Sequence, residues 1–222
     1  MSWTAPRTHV TGEITTASIL NIHLRDNLLE TAPAKVTTAG DLVQATAANA
    51  LARLGLGTQG YRLRAGASAV EWAPTVFVRK TAQQTRTANT NLIDVDDLLV
   101  AMLANQKWIF EGFLITDGPL GADIKLAFTV PAAATLAWSA LSIIESGTSG
   151  QNLGLTNVIE ASGTVTLVGT LGSGTKTVVR IWGTVLNGAN AGNLQLQFAQ
   201  ATSDGSGCSI WQNSWLKGHE LP

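Results

Sequence analysis

The chain has 222 residues, of which 13% are charged and 45% hydrophobic, with a formal net charge of −1. That charged share is about half the usual one for a soluble domain, and the near-neutral balance excludes a general electrostatic pull toward nucleic acid. Thr, Gly, Asn or a charge interrupts each apolar stretch before it reaches about 18 residues, so no membrane insertion is expected. The opening MSWTAPRTHVTGE lacks the apolar centre of a secretory signal.

Residues 1–14 read as an extended arm with Trp3 and Pro6 near its start. A short helix follows. Thr15 or Thr16 suits the N-cap, Leu20, Leu24 and Leu28 repeat at i, i+4 and i+8, and Pro33 closes the segment. A helix of this length is marginal alone, so its leucine stripe needs a partner, either its own head or another subunit. Residues 1–33 are therefore expected to be an anchoring arm and helix.

Residues 34–74 alternate short apolar pairs with glycine and alanine. Leu42, Leu51, Leu54, Leu56, Leu63 and Trp72 want burial but are spread too thinly to build a private core. Such a segment normally gains burial from a neighbouring copy, and these six residues are the expected self-association interface of a stalk. Short strands are predicted over 41–45 and 61–63, with turns at Gly55, Gly57, Gly60 and Gly66. Asp41, Glu71 or a second chain are the expected partners of Arg53, Arg62 and Arg64.

From Thr75 the pattern is β. Ile124, Leu126, Phe128 and Val130 alternate with Lys125, Ala127 and Thr129, and Leu194, Leu196 and Phe198 alternate with Gln195 and Gln197. Further strands are predicted over 76–81, 108–116, 135–145, 164–171, 177–186 and 209–216. Turn clusters lie at 117–119, 147–150, 172–174 and 187–190. Eight or nine such strands without an intervening helix predict an antiparallel β-sandwich over 75–222, of the jelly-roll kind.

The opening SWTAPRTHVTGEITTASILNIHLRDNLLETAPAK resembles the N-terminal segment of small siphophage tail-fibre and minor tail proteins. The likeness is carried by Trp3, Pro6, Arg7, Thr8, Val10, Gly12, Glu13, Thr16, Ala17, Leu20, Asn21, His23, Arg25, Asp26, Asn27 and Leu28. GDLVQATAANALARLGLGTQG is similar to the stalk motif of phage fibres, and WIFEGFLITDGPLGADIKLAFTVPAAA and VVRIWGTVLNGANAGNLQLQFAQ to their β-rich tips. The resemblance implies a homotrimeric, non-enzymatic virion protein, assembled in the host cytoplasm. Its partners would be itself and other tail or capsid proteins, and its outward head would contact the host surface. Trp3, Pro6, Arg7, Leu20, Leu24 and Leu28 would form the anchoring interface. Capsid decoration and head-fibre proteins share such modules, so attachment to the capsid lattice stands as the alternative.

No catalytic constellation is legible, and no cofactor or metal is expected. His9, His23 and His219 are scattered, no serine has a G-x-S-x-G context, and neither a phosphate-binding loop nor H-E-x-x-H occurs. Asp94, Asp96 and Asp97 form the densest acidic cluster; it lacks the EF-hand pattern and reads as a solvated turn before Leu98–Leu103. Glu111 reads as a partner for Lys125 or Arg180 rather than as half of a glycosidase pair with Asp123. The single Cys208 excludes an internal disulfide and reads as a small buried hydrophobe. Seven tryptophans remain to be placed. Core and interface filling is their ordinary use, but Trp182 shares a parity with Arg180 and Thr184, and Trp211 and Trp215 share one with Asn213. These three are the candidates for contact with a host surface or a cell-surface glycan.

Overall fold

The computed structural model describes residues 4–5, 7–145 and 152–221. Trp3, Pro6 and the expected turn at 147–150 lie outside these residues. The chain divides into two compact units, Met1–Ala73 and Pro74–Pro222.

In the first unit, one helical run comprises α1 (Ala17–Leu20), a π-helical stretch (Asn21–Asp26) and α2 (Asn27–Leu29). Thr16 caps it, its hydroxyl accepting from the Ile19 N–H at 3.3 Å. Asn27 is buried and fully used: its amide accepts from the Thr4 N–H and donates to the Thr4 carbonyl, both at 2.9 Å, tying the arm to the helix. Pro33 does not simply end the helix. The run stops at Leu29, and Pro33 sits in the first turn of α3 (Ala32–Lys35), where its missing N–H costs nothing.

Two hairpins follow, β1 (Leu42–Ala47) with β2 (Ala50–Leu54), and β3 (Arg62–Ala65) with β4 (Val70–Ala73). The predicted strands over 41–45 and 61–63 are thus one arm of each hairpin. Arg53 pairs with Asp41 at 2.7 Å and Arg64 with Glu71 at 2.8 Å. Burial works against the Asp41 charge, but the Arg53 guanidinium and the Thr38 and Thr37 amides outweigh it and hold the carboxyl below its ordinary value.

The second unit contains twelve strands among its described residues, all antiparallel. The larger sheet holds β5 (Thr75–Arg79), β6 (Gln84–Arg86), β8 (Lys107–Asp117), β10 (Thr135–Glu145), β11 (Asn152–Leu155), β13 (Thr177–Leu186), β15 (Cys208–Ile210) and β16 (Trp215–Glu220). The smaller sheet holds β7 (Ile93–Met102), β9 (Ile124–Thr129), β12 (Thr166–Val168) and β14 (Gly192–Gln200). Pairings are nested. β5 and β6 pair with β16 and β15, β7 with β14, β8 with β13, and β9 with β12. A long hairpin folded over on itself in this way is a jelly roll. β10 and β11 are an insertion between β9 and β12 that widens the larger sheet beyond β13.

The two inner faces meet in one core. Phe110 and Leu114 on β8, Trp138 on β10 and Ile181 on β13 face Leu126 and Phe128 on β9 and Leu196 and Phe198 on β14. The Phe128 ring makes edge contacts with Phe110 at 5.1 Å and Trp138 at 4.9 Å. Gly183 creates the space for both partners: a Cβ there would lie 2.6 Å from Phe110 Cζ and 2.7 Å from Trp138 Cβ.

Three sequence expectations are corrected. The Asp94–Asp97 cluster is no turn but part of β7. Inward residues switch from Val95 to Leu98, Val100 and Met102, and the ladder with β14 shifts register at the same place. Asp97, at φ 68°, forms that bulge. The single strand predicted over 209–216 is two, β15 and β16, separated by a turn with Asn213 at φ 71°. The strand predicted over 164–171 is only the three residues of β12.

Candidate interaction surfaces

The two units differ in how they treat apolar side chains. Among its described residues, the first unit buries only Asn27 and Ala73. Leu20, Leu24 and Leu28 are 48%, 56% and 56% exposed, and Ile22 and Leu29 are also exposed. Leu42, Leu56 and Leu63 are exposed on the hairpin segments, whereas Leu51, Leu54 and Trp72 are half-buried. Trp72 has a partner inside its own unit: its indole N–H donates to the Gly55 carbonyl at 2.7 Å, and its ring fills the space a Gly57 side chain would need. Arg7 forms an ion pair with Glu13.

On the second unit, the register of β10, β13, β8, β16 and β5 aligns outward-facing residues into rungs across the larger sheet. One rung reads Ser139, Trp182, Glu111, Lys217, Phe77. The next reads Leu141, Arg180, Phe113, Trp215, Arg79. Glu111 is therefore flanked by two cations, Lys217 at 2.7 Å and Arg180 at 3.6 Å. Arg180 was foreseen from the sequence and Lys217 was not; Lys125 lies on the other sheet, paired with Leu167 and Ala199.

A groove of about 470 Å³ runs along this outer face, within the size range of small-molecule sites. Trp182, 41% exposed, and Val158 line it, along with Ile109, Ala137, Glu111 and Lys217. Val158 belongs to a strap that continues the line of β11 alongside β10. Thr156 N–H donates to the Ala140 carbonyl at 2.8 Å, the Ser139 hydroxyl donates to the Thr156 carbonyl at 2.8 Å, and Trp138 and Ile159 exchange backbone bonds at 3.0 and 2.8 Å.

The other two candidate tryptophans sit differently. Trp215 is flanked by Phe77 at 5.6 Å and Phe113 at 6.1 Å, both stacked. Trp211 carries the Lys176 ammonium 3.5 Å above its ring. Of the three, Trp182 alone lines the groove.

Asp97 and Lys80 have structural partners. Asp97 accepts from the Thr81 N–H at 2.9 Å and the Thr81 hydroxyl at 2.7 Å, and these bonds hold its carboxyl below its ordinary value. Lys80 is only 1% exposed; its ammonium donates to Gln84 Oε1 at 3.0 Å and the Asp96 carbonyl at 3.3 Å. Burial lowers its affinity for the proton, with Asp96 and Asp97 pulling the other way. Cys208 is buried, and burial pushes its thiol up to about 12. Among the described residues, no three His, Cys, Asp or Glu side chains are grouped to hold a metal, and no helix is long and apolar enough to cross a membrane.

No family model and no curated protein sequence matches this chain. Solved structures that it resembles include that of infectious bursal disease virus, Gt strain, at 10% identity and TM-score 0.16, covering 83% of this chain and 46% of that one. A second is the infectious bursal disease virus VP2 subviral particle, at 13% identity and TM-score 0.20, covering 78% and 48%. The chain spans about half the length of these chains.

Proposed function

We propose that this protein is a non-enzymatic virion component. In this reading it is a homotrimeric short tail fibre or minor tail protein, held by its N-terminal unit and displaying the jelly-roll unit outward. The observation that carries the reading is the contrast between the units. The second has a continuous two-sheet core, while the first, among its described residues, buries two and exposes a leucine stripe. Exposed apolar surface of this kind marks association. The virion context comes from the motif resemblance of residues 2–35 and 40–60, and three heads on one base would bind a surface by multivalency.

Light scattering on the eluting full-length protein tests the assembly, with an expected mass three times the 23.2 kDa of the chain. A folded monomer at all concentrations overturns it. Immunogold labelling of particles then separates a tail position, as proposed, from decoration of the capsid lattice.

A further inference from the structure

We propose that the groove on the outer face of the larger sheet binds a neutral saccharide, with one pyranose ring stacked on Trp182 and its hydroxyls bonded to Glu111 and Lys217. As a statement about a virion head this rests on the reading above; as a statement about the groove it rests on these residues.

Three features of the groove select that occupant. First, Trp182 presents an aromatic surface on a rigid central strand, paired on one side with β8 and on the other with β10. The axial C–H bonds of a pyranose make one face of the ring apolar, and an indole plate is its natural complement. Second, the polar side chains lining the groove, which include Ser139, Thr184 and His219, hold an acceptor and a donor already paired, Glu111 Oε1 and Lys217 Nζ at 2.7 Å. A sugar hydroxyl both donates and accepts, so vicinal hydroxyls can bridge a carboxylate and an ammonium without disturbing their charge balance. A charged ligand would instead compete with one member for the other. Third, Ile109, Ala137 and Val158 supply apolar contact for the ring edges.

A second copy's leucine stripe is the rival occupant, and the ion pair argues against it. Covering Glu111 and Lys217 with leucine would strip their solvation and return no hydrogen bond. Trp211 and Trp215 offer weaker platforms, because Lys176 lies over the first and two phenylalanines flank the second.

The test uses full-length protein with cellotetraose, maltotetraose and chitotetraose as probes, read by saturation-transfer NMR and by tryptophan fluorescence. At least one tetrasaccharide is expected to bind with a dissociation constant of about 1 mM or tighter, contacting the protein through ring C–H protons. Trp182→Ala should weaken binding at least tenfold and Glu111→Gln severalfold, while Trp211→Ala leaves it unchanged. Thermal melting confirms that each variant folds, and the NMR contact map on the unmodified protein needs no variant. Absence of binding by all three probes, binding that survives Trp182→Ala, or uptake of the apolar dye anilinonaphthalene sulfonate that no saccharide displaces would each overturn the proposal. A trimer that binds no sugar defeats this inference alone, and a monomer that binds sugar defeats the assembly alone.

Discussion

Replacing Leu20, Leu24 and Leu28 together by serine tests the assembly at its physical root. Their exposed fractions together amount to about one and a half leucine side chains. Fully burying a leucine is worth about 1.5–3 kcal/mol, so covering the stripe with a partner contributes roughly 2–5 kcal/mol per chain. At 1.4 kcal/mol per tenfold, the triple variant should associate roughly 30- to 4,000-fold more weakly per chain. Sedimentation equilibrium over a dilution series reads this directly, as a shift of the dissociation midpoint to higher concentration. The variant's jelly-roll unit should melt at the unaltered temperature, since the three positions contribute nothing to its core. An unchanged midpoint would refute the argument, because the stripe would then have no partner to lose. A drop in the melting temperature of the second unit would refute it too, since the helix would then be part of that domain.

Three further outcomes follow from the second unit. Gly183→Ala forces a methyl against the Phe110 ring, the Trp138 Cβ and the Ala137 carbonyl; overpacking at about 1–3 kcal/mol should lower the melting temperature by about 2–12 °C for a unit of this size, measured by calorimetry. Asp97 has a depressed folded pKa, so its contribution is fully present above the unfolded value and is lost as pH falls through the folded one. Asp97→Asn keeps a residue that tolerates the positive φ, and should flatten the decline of the urea midpoint in acid relative to the parent. Cys208 should resist a thiol-reactive disulfide reagent in the native protein and react fully in denaturant, because burial withholds both access and thiolate; fast native labelling would contradict its placement.

Several strands were legible because their alternation is unbroken. Residues 177–186 and 135–145 were read with the bounds the structure has, and Ile124, Leu126 and Phe128 do face the core. β7 was missed for a specific reason. Its bulge at Asp97 changes the inward parity, so Val95 and Leu98 share a face that period-two counting assigns to opposite sides. β2 and β4 were missed because alanine-rich or four-residue segments carry almost no alternation. Trp182 was picked out by parity with Arg180 and Thr184. Its groove was not, since Ser139, Glu111 and Lys217 reach it only through strand pairing.

By itself the amino-acid order determined the longer, evenly alternating strands of the second unit, where the apolar residues run too thin for a core, and that no catalytic motif is spelled out. Those properties are local, set by neighbours a few positions apart. Only the tertiary structure decided the nested pairing of the sandwich, the insertion of β10 and β11, and the meeting of Trp182 with Glu111 and Lys217. These depend on register between strands distant in the chain, where a shift of one residue would turn each of those side chains to the opposite face.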